Sequence, residues 1–139
     1  MKRIIYQNPD GSVAIIIPTG ELPIEEVAAK DVPEGTPYEI VDADAIPADR
    51  TFRDAWIMGD CCVEHDIGKC KVIAHDKRRA MRAAEFAPHD DIIAKQIPGH
   101  DAAEAEVARQ AIRNKYAVMQ DAIDGATTPG ELKELLGLD

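Results

Sequence analysis

The N-terminal part of the chain alternates between apolar and polar positions in the manner of β-strands. Two runs rich in β-branched residues flank the turn signal Asn8-Pro9-Asp10-Gly11, and this arrangement predicts an antiparallel hairpin over residues 2–17. Prolines and glycines then divide the chain into short segments. These segments predict a short helix over residues 22–30 and two further strands, near residues 38–41 and 51–58.

From about Asp66 the apolar positions recur with the period of an α-helix. The first helix is predicted to bury an apolar stripe with long basic side chains beside it, and the stripe consists of Ile67, Ile73, Lys77, Ala80, Met81 and Ala84. Pro88 predicts that this helix either ends near Phe86 or kinks and continues. The pair Pro98-Gly99 then stops it.

A second long helix and a short last helix follow. Asp101 is the expected cap of the long helix, with Glu104 three residues later. One face of that helix carries Ala105, Ala108, Ile112, Tyr116, Met119 and Ile123. Gly125 ends it, and Thr128 begins the short helix. The two long helices are predicted to form an antiparallel hairpin.

Together these patterns predict an α+β fold in two parts. Residues 1–65 form a β-rich subdomain suited to docking, and residues 66–139 form the helical hairpin with its short terminal helix. Because each long helix has a narrow, Ala-rich seam that buries little area alone, we expect a homo-oligomer formed through the hairpin. The side chains expected at the packing centre or interface are Phe52, Arg53, Trp56, Ile112, Tyr116 and Met119. The first three are predicted to form the packing centre where the two parts of the chain meet.

The distribution of charge says more about the class of partner than the overall composition does. With 45% hydrophobic and 30% charged residues, the 139-residue chain has an ordinary globular balance, and no apolar run reaches the ~20 residues of a membrane span. The formal net charge of −10 argues against a nucleic-acid partner. Residues 67–82 depart from this balance, with six basic side chains and one acidic one. This segment predicts a solvated helix face or pairing with acidic parts of the same or another subunit, with an anion contact as the alternative.

Three cysteines and two histidines are the candidates for chemistry. Cys61, Cys62 and Cys70 lie within ten residues of one another, near His65 and His75. These are the donor types of a zinc site, but Cys70 and His75 lie five apart on a helix and point in different directions, so we predict no metal and no cofactor. The cysteines either remain thiols or form a disulfide.

The sequence lacks a nucleophile elbow, a Walker loop and a dinucleotide-binding glycine motif, and we predict that the protein is not an enzyme.

Several segments of the sequence carry a resemblance to a protein family. The most specific is residues 46–56, with the sequence IPADRTFRDAW. The other segments are residues 3–6, 12–18, 29–35, 38–42 and 122–133. Together they resemble small proteins of tailed bacteriophages and prophages that are encoded near tail and fibre genes.

The resemblance implies a non-enzymatic structural component of a phage virion, attached to the tail, baseplate, neck or fibres. It implies other phage structural proteins as partners, with no nucleic acid and no membrane, and a location in the virion after assembly in the host cytoplasm. One alternative is a tail-fibre assembly chaperone absent from the mature particle, because the hairpin is similar in layout to such chaperones. Another is a prophage-encoded enzyme or regulator that depends on a metal or thiol. The cysteines at positions 61, 62 and 70 depart from the family pattern, which suggests crosslinks specific to this chain.

Overall fold

The structure, a computed structural model, describes residues 1–60 and 62–138. The fold is α+β, as predicted, and the chain divides into two compact units, residues 1–69 and 70–139. The strands are β1 (Lys2–Gln7), β2 (Val13–Ile16), β3 (Tyr38–Asp42), β4 (Trp56–Met58) and β5 (Val63–His65). The helices are α1 (Ile24–Asp31), α2 (Ile67–Lys95), α3 (Ala102–Gly125) and α4 (Pro129–Leu136).

The predicted hairpin is present in the first unit, where it supplies two strands of an antiparallel sheet with the order β2–β1–β3. Ile4 pairs with Ile16 across the hairpin. The Asp10 carboxylate holds the turn by accepting hydrogen bonds from the backbone N–H and the hydroxyl of Ser12, at 2.9 and 2.6 Å. Gly11 has a φ of +87°, a conformation that side-chain-bearing residues rarely adopt. The turn therefore requires the glycine that signals it in the sequence.

The central strand β1 is buried on both of its faces. Ile4 packs on one side against Ala28 and Val32, which belong to α1 and the position just after it. Ile5 packs on the other side against Trp56. Successive side chains of a strand point to opposite faces, so within this unit the sheet lies between α1 and the β4–β5 segment.

The prediction of a strand over residues 51–58 is wrong for its first half. Arg53–Ala55 form a 3-10 turn, and only the last three residues pair, as β4, with the unpredicted strand β5. The Asp49 carboxylate accepts hydrogen bonds from the N–H and the hydroxyl of Thr51 at 2.9 and 2.7 Å, which favours a turn here. The last residue of the turn and Trp56 are consecutive and both fully buried. A strand with one solvent-facing side does not produce that pattern.

Helices α2 and α3 pack as a hairpin in the second unit, as predicted. Helix α2 continues through Pro88, so the alternative in which it ends near Phe86 is wrong. The Asp101 carboxylate caps α3 by accepting a hydrogen bond from the N–H of Ala103 at 2.8 Å. Gly99, in the loop between the helices, has a φ of +84°, and a glycine at this point gives the chain its left-handed turn.

The buried face of α2 differs from the predicted stripe. Ala80 and Ala84, both expected on that stripe, are exposed. The buried residues of the helix are Cys70, Ala74, Arg78 and Phe86. The first three follow one another at intervals of four residues, and so lie on one face. Because that face carries small residues and an arginine, hydrophobicity alone places the stripe to one side of it. The other predicted stripe residues, Ile67, Ile73, Lys77 and Met81, are half-buried.

The short helix α4 contacts α3 and is capped as predicted. The Thr128 hydroxyl accepts a hydrogen bond from the N–H of Glu131 at 3.2 Å, and Gly137 ends the helix with a φ of +69°. Leu132 and Leu136 are buried. Across residues 1–60 and 62–138, none of the helices combines the length and the apolar character that crossing a bilayer requires.

Candidate interaction surface of the helical hairpin

Phe52, Arg53 and Trp56 lie in the first unit, and both aromatic side chains are buried. The Arg53 guanidinium lies over the Trp56 ring, 4.6 Å from its centroid, and donates a hydrogen bond to the carbonyl oxygen of Val13 at 2.7 Å. The Trp56 indole N–H donates to Nε2 of His65 at 3.1 Å. These contacts give the three side chains a packing role within the first unit. That they also join the two parts of the chain stays a prediction.

Ile112, Tyr116 and Met119 lie in the second unit, where they form one cluster with Phe86. Ile112 and Tyr116 are buried, and Met119 is half-buried. The predicted packing face of α3 is confirmed at its buried residues, which are Ala105, Ile112, Tyr116 and Ile123. These side chains are therefore core residues of the hairpin.

Glu85 links the two helices of the hairpin through one carboxylate oxygen. Its Oε1 accepts hydrogen bonds from the Lys115 ammonium and the Tyr116 hydroxyl, each at 2.7 Å. These hydrogen bonds, that from Lys115 foremost, hold the pKa of Glu85 below its ordinary value. Burial, and then the neighbouring Glu85 carboxylate, raises the pKa of Tyr116. Both shifts favour an ionised carboxylate beside a neutral phenol at neutral pH.

The candidate metal and thiol residues are divided between the two units, with Cys62 and His65 in the first and Cys70 and His75 in the second. Cys61 lies outside the described residues, Cys62 is half-buried and Cys70 is buried, so a disulfide stays a prediction. The His65 ring accepts a hydrogen bond from an indole, and the His75 ring is hydrogen-bonded through both nitrogens. In the described part of the chain, no group of three or more Cys, His, Asp or Glu side chains is placed to hold a metal ion.

A groove lined by arginines lies between α2 and α3 in the second unit. Its volume is about 460 Å³, and the larger side chains that line it are Arg78, Arg79, Arg82, Arg113 and Tyr116. Among the described residues that line it, none is acidic. We call this surface the arginine groove. Its positive charge contrasts with the formal net charge of −10 of the whole chain.

Arg78 is the most buried of these arginines, with 7% of its surface exposed. Its Nε–H donates a hydrogen bond to Nδ1 of His75 at 3.3 Å. Because a guanidinium can only donate, Nδ1 is the acceptor in this contact. His75 Nε2 is hydrogen-bonded to the Asp124 carboxylate at 2.8 Å, and Lys71 donates to the Asp124 carbonyl oxygen at 2.8 Å. These contacts join α2 to the C-terminal end of α3.

The Phe86 ring is surrounded by three guanidinium groups. Those of Arg82, Arg109 and Arg113 lie 4.7, 5.7 and 5.9 Å from the ring centroid, within the range of cation–π attraction. Arg109 and Arg113 also form ion pairs with Glu106, at 2.8 and 2.9 Å. Within residues 1–60 and 62–138, Arg82 has no carboxylate oxygen within 4.0 Å. In the described part of the chain, Arg82 therefore contacts an aromatic ring and no carboxylate.

Helix α3 also carries apolar residues on the side opposite its buried face. Val107 and Val118 are 72% and 70% exposed, and Ala103 and Ala111 are exposed too. At roughly 100° per residue, these four positions span about 80° and centre about 155° from the buried residues of the helix. We call these four residues the outer stripe of α3.

Sequence reasoning missed Arg78 and the contacts around it. The available signal was its spacing of four residues from Ala74 and eight from Cys70, which places it on the face of two small residues. A second signal was Arg82 four residues before Phe86, the spacing at which side chains meet on a helix.

Comparisons with protein-family models, with curated proteins and with solved structures give no match for this chain. The surfaces described above and the segments quoted earlier are therefore the basis for a function.

Proposed function

We propose that the protein is a non-enzymatic structural component of a tailed-phage virion that acts through protein–protein contacts. The phage context is supported by the resemblance of residues 46–56 and the other segments quoted above. The mode of action is supported by one structural observation, the outer stripe of α3. On the side of that helix opposite its buried face, these four apolar residues, with Asn114 among them, are not covered by packing within the described chain.

The outer stripe favours association with another helix. A single exposed valine needs no explanation, but Val107 and Val118 share one stripe with two exposed alanines. Eleven residues separate the valines, which is about 16 Å, or three turns of helix. In an antiparallel two-fold pair, Val107 of one copy meets Val118 of a second copy, and the alanines allow the two helices to approach closely. We assign the stripe to self-association in a homo-oligomer.

The polar groups best suited to chemistry hold the hairpin together, which supports a role without catalysis. Glu85 is bound by Lys115 and Tyr116. Both ring nitrogens of His75 are hydrogen-bonded, one to Asp124. Each of these groups already has a structural use between α2 and α3.

Purified particles test the virion role. Particles of a phage that encodes the chain are run on reducing and non-reducing gels, and each band is identified by mass spectrometry. We expect the 15.2 kDa chain in the particles, and a higher mass without reductant if its cysteines form crosslinks. A chain abundant in infected cells but missing from the particles would contradict the virion role and indicate an assembly chaperone.

Sedimentation velocity of the isolated protein tests the outer stripe. We expect the wild-type chain to sediment as an oligomer and the double variant Val107→Glu/Val118→Glu as a monomer, because an unpaired carboxylate is costly to bury. Val72→Glu is the matched control, since Val72 is 62% exposed and lies on α2, outside the stripe. Equal sedimentation of all three proteins would overturn the assignment.

A further inference from the structure

Arg78 lines the arginine groove and carries a charge that no carboxylate of the described chain balances. Its guanidinium keeps its charge at any physiological pH, yet only 7% of the residue is exposed to water. Its hydrogen-bond partner is Nδ1 of His75, which is not a carboxylate. In the described chain, no carboxylate oxygen lies within 4.0 Å of it. A buried charge without a counterion is costly, so this position favours the arrival of an anion.

Several acidic residues of α2 and α3 are already paired, two of them with arginines that line the groove. Asp76 pairs with Arg79 at 2.8 Å. Glu85, Glu106 and Asp124 are held by the contacts described above. The two helices of the hairpin therefore do not supply a counterion for Arg78 or Arg82, and an anion that balances these charges comes from outside them.

The dimensions of the groove favour a polypeptide segment over a single small ion. Its volume of about 460 Å³ is many times the ~10–15 Å³ that one water molecule needs on the same measure. Ala83 and Ala117 line it as well, and their short side chains leave room for the side chains of a ligand. The planar guanidinium of arginine matches the two oxygens of a carboxylate. A single-stranded nucleic acid is a poorer match, because the one aromatic side chain among the described residues that line the groove, Tyr116, is buried and offers no ring on which a base could stack.

We infer that the arginine groove binds an acidic segment of a partner polypeptide, with carboxylates placed on Arg78 and Arg82. Recognition of acidic motifs by clustered arginines is a known mode of peptide binding. The groove and the outer stripe of α3 share no residue. The inference therefore goes beyond the proposed function and holds whether or not the protein belongs to a virion.

Fluorescence anisotropy with a labelled hexaglutamate peptide tests the inference on the full chain at about 50 mM NaCl, where charge interactions are weakly screened. We expect saturable binding to the wild-type protein. Arg82→Gln should weaken it about tenfold or more, the loss expected for one charge-assisted hydrogen bond. Arg78→Gln is a second variant, and thermal melting shows that each variant is folded.

Lys77→Gln is the matched control for the loss of one positive charge. Lys77 belongs to the same basic segment of α2 but does not line the groove, so we expect a change of less than about twofold, the effect of net charge alone. An equal loss in Lys77→Gln and Arg82→Gln would mean that binding is non-specific and would overturn the inference, as would the absence of hexaglutamate binding.

Three further probes separate the sources of negative charge. Hexaglutamine should not bind. Inorganic phosphate and a single-stranded oligothymidine should compete with hexaglutamate only weakly. Tighter binding of phosphate would instead identify a small-anion site. Tighter binding of the oligothymidine, lost in Arg82→Gln, would identify a nucleic-acid site, and either result would overturn the assignment to an acidic polypeptide.

Discussion

Trp56 is held in the first unit by apolar packing, a cation–π contact and a hydrogen bond. It is fully buried, packs against Ile5 and Val13, and lies under the Arg53 guanidinium. Its indole N–H is satisfied by Nε2 of His65 at 3.1 Å. A large side chain with a satisfied polar group at the centre of a small core is expected to contribute much of the stability of that core.

Replacing Trp56 by alanine should therefore be strongly destabilising. We expect Trp56→Ala to lower the free energy of unfolding by about 3–5 kcal/mol, because the substitution leaves a cavity and exposes apolar surface. Trp56→Phe, which keeps an aromatic ring and loses the N–H, is the control and should cost less. Urea unfolding followed by circular dichroism measures both. A Trp56→Ala protein with the wild-type midpoint would contradict this role.

Single residues differ in how well their burial can be predicted from the sequence. Phe52 and Trp56 belong to a chain in which only 4% of residues are aromatic, so their burial was a natural expectation. For Arg78 the sequence favours a solvated face or a charge pairing over burial in the hairpin, because arginine is rarely buried without a partner. Its burial depends on His75 and Asp124. The contact between these two residues joins positions 49 apart in the chain, so the local periodicity of the sequence cannot predict it.

At the scale of elements, the two long helices are joined by polar links as well as by apolar packing. Glu85 of α2 binds Lys115 and Tyr116 of α3. The cluster of Phe86 with Ile112 and Tyr116 lies beside this link. This link depends on the ionised form of the Glu85 carboxylate. The attachment of α2 to α3 therefore depends on pH.

This dependence has a definite sign. The pKa of Glu85 in the folded chain lies below its ordinary value of 4.5, so the unfolded chain binds more protons just below that pH. The stabilising effect is present above about pH 4.5 and is lost as the pH falls through the folded pKa. Urea unfolding of the wild-type chain and Glu85→Gln should differ most near neutral pH, and the difference should shrink below about pH 4.5.

The comparison isolates Glu85 because the other affected carboxylates are the same in both proteins. The pKa values of Asp10, Asp42 and Glu106 are also lowered, each chiefly by a hydrogen bond from a neighbouring side chain. Their contribution cancels in the difference between the two chains. A difference that stays constant from neutral pH to pH 3 would show that the carboxylate charge has no part in holding the helices together.

Elements governed by local chemistry follow directly from the sequence, whereas those governed by distant contacts do not. The turn at Gly11 and the caps at Asp101 and Thr128 use interactions within a few residues. Strands β4 and β5 are three residues long each, too short to establish an alternating pattern. Helix α2 runs through Pro88, although a proline costs an isolated helix ~3 kcal/mol; packing along the hairpin offsets that cost.

At the scale of the whole molecule, charge acts in opposite directions on the two proposed contacts. Two copies that each carry a formal charge of −10 repel one another, which opposes association through the outer stripe of α3. An acidic peptide and the arginine groove attract one another locally. Dissolved salt screens both interactions.

Raising the salt concentration should therefore separate the two contacts. Between about 50 and 500 mM NaCl, over which the screening length falls severalfold, we expect self-association to strengthen and hexaglutamate binding to weaken. Sedimentation equilibrium measures the first quantity and anisotropy the second, on the same preparation. A change in the same direction for both would contradict the division between an apolar contact and an electrostatic one.

The double-sided burial of β1 has a consequence for the chain while it is being synthesised. A ribosome delivers β1 before the segments that cover it, and Trp56 follows Ile5 by 51 positions. A nascent chain that has emerged as far as β3 can complete the three-stranded sheet, but the face that carries Ile5 is still open to water. Such an apolar sheet face favours aggregation. A pause in synthesis before β4 therefore leaves a nascent chain that depends on the cell's chaperones until β4 and β5 emerge and cover that face.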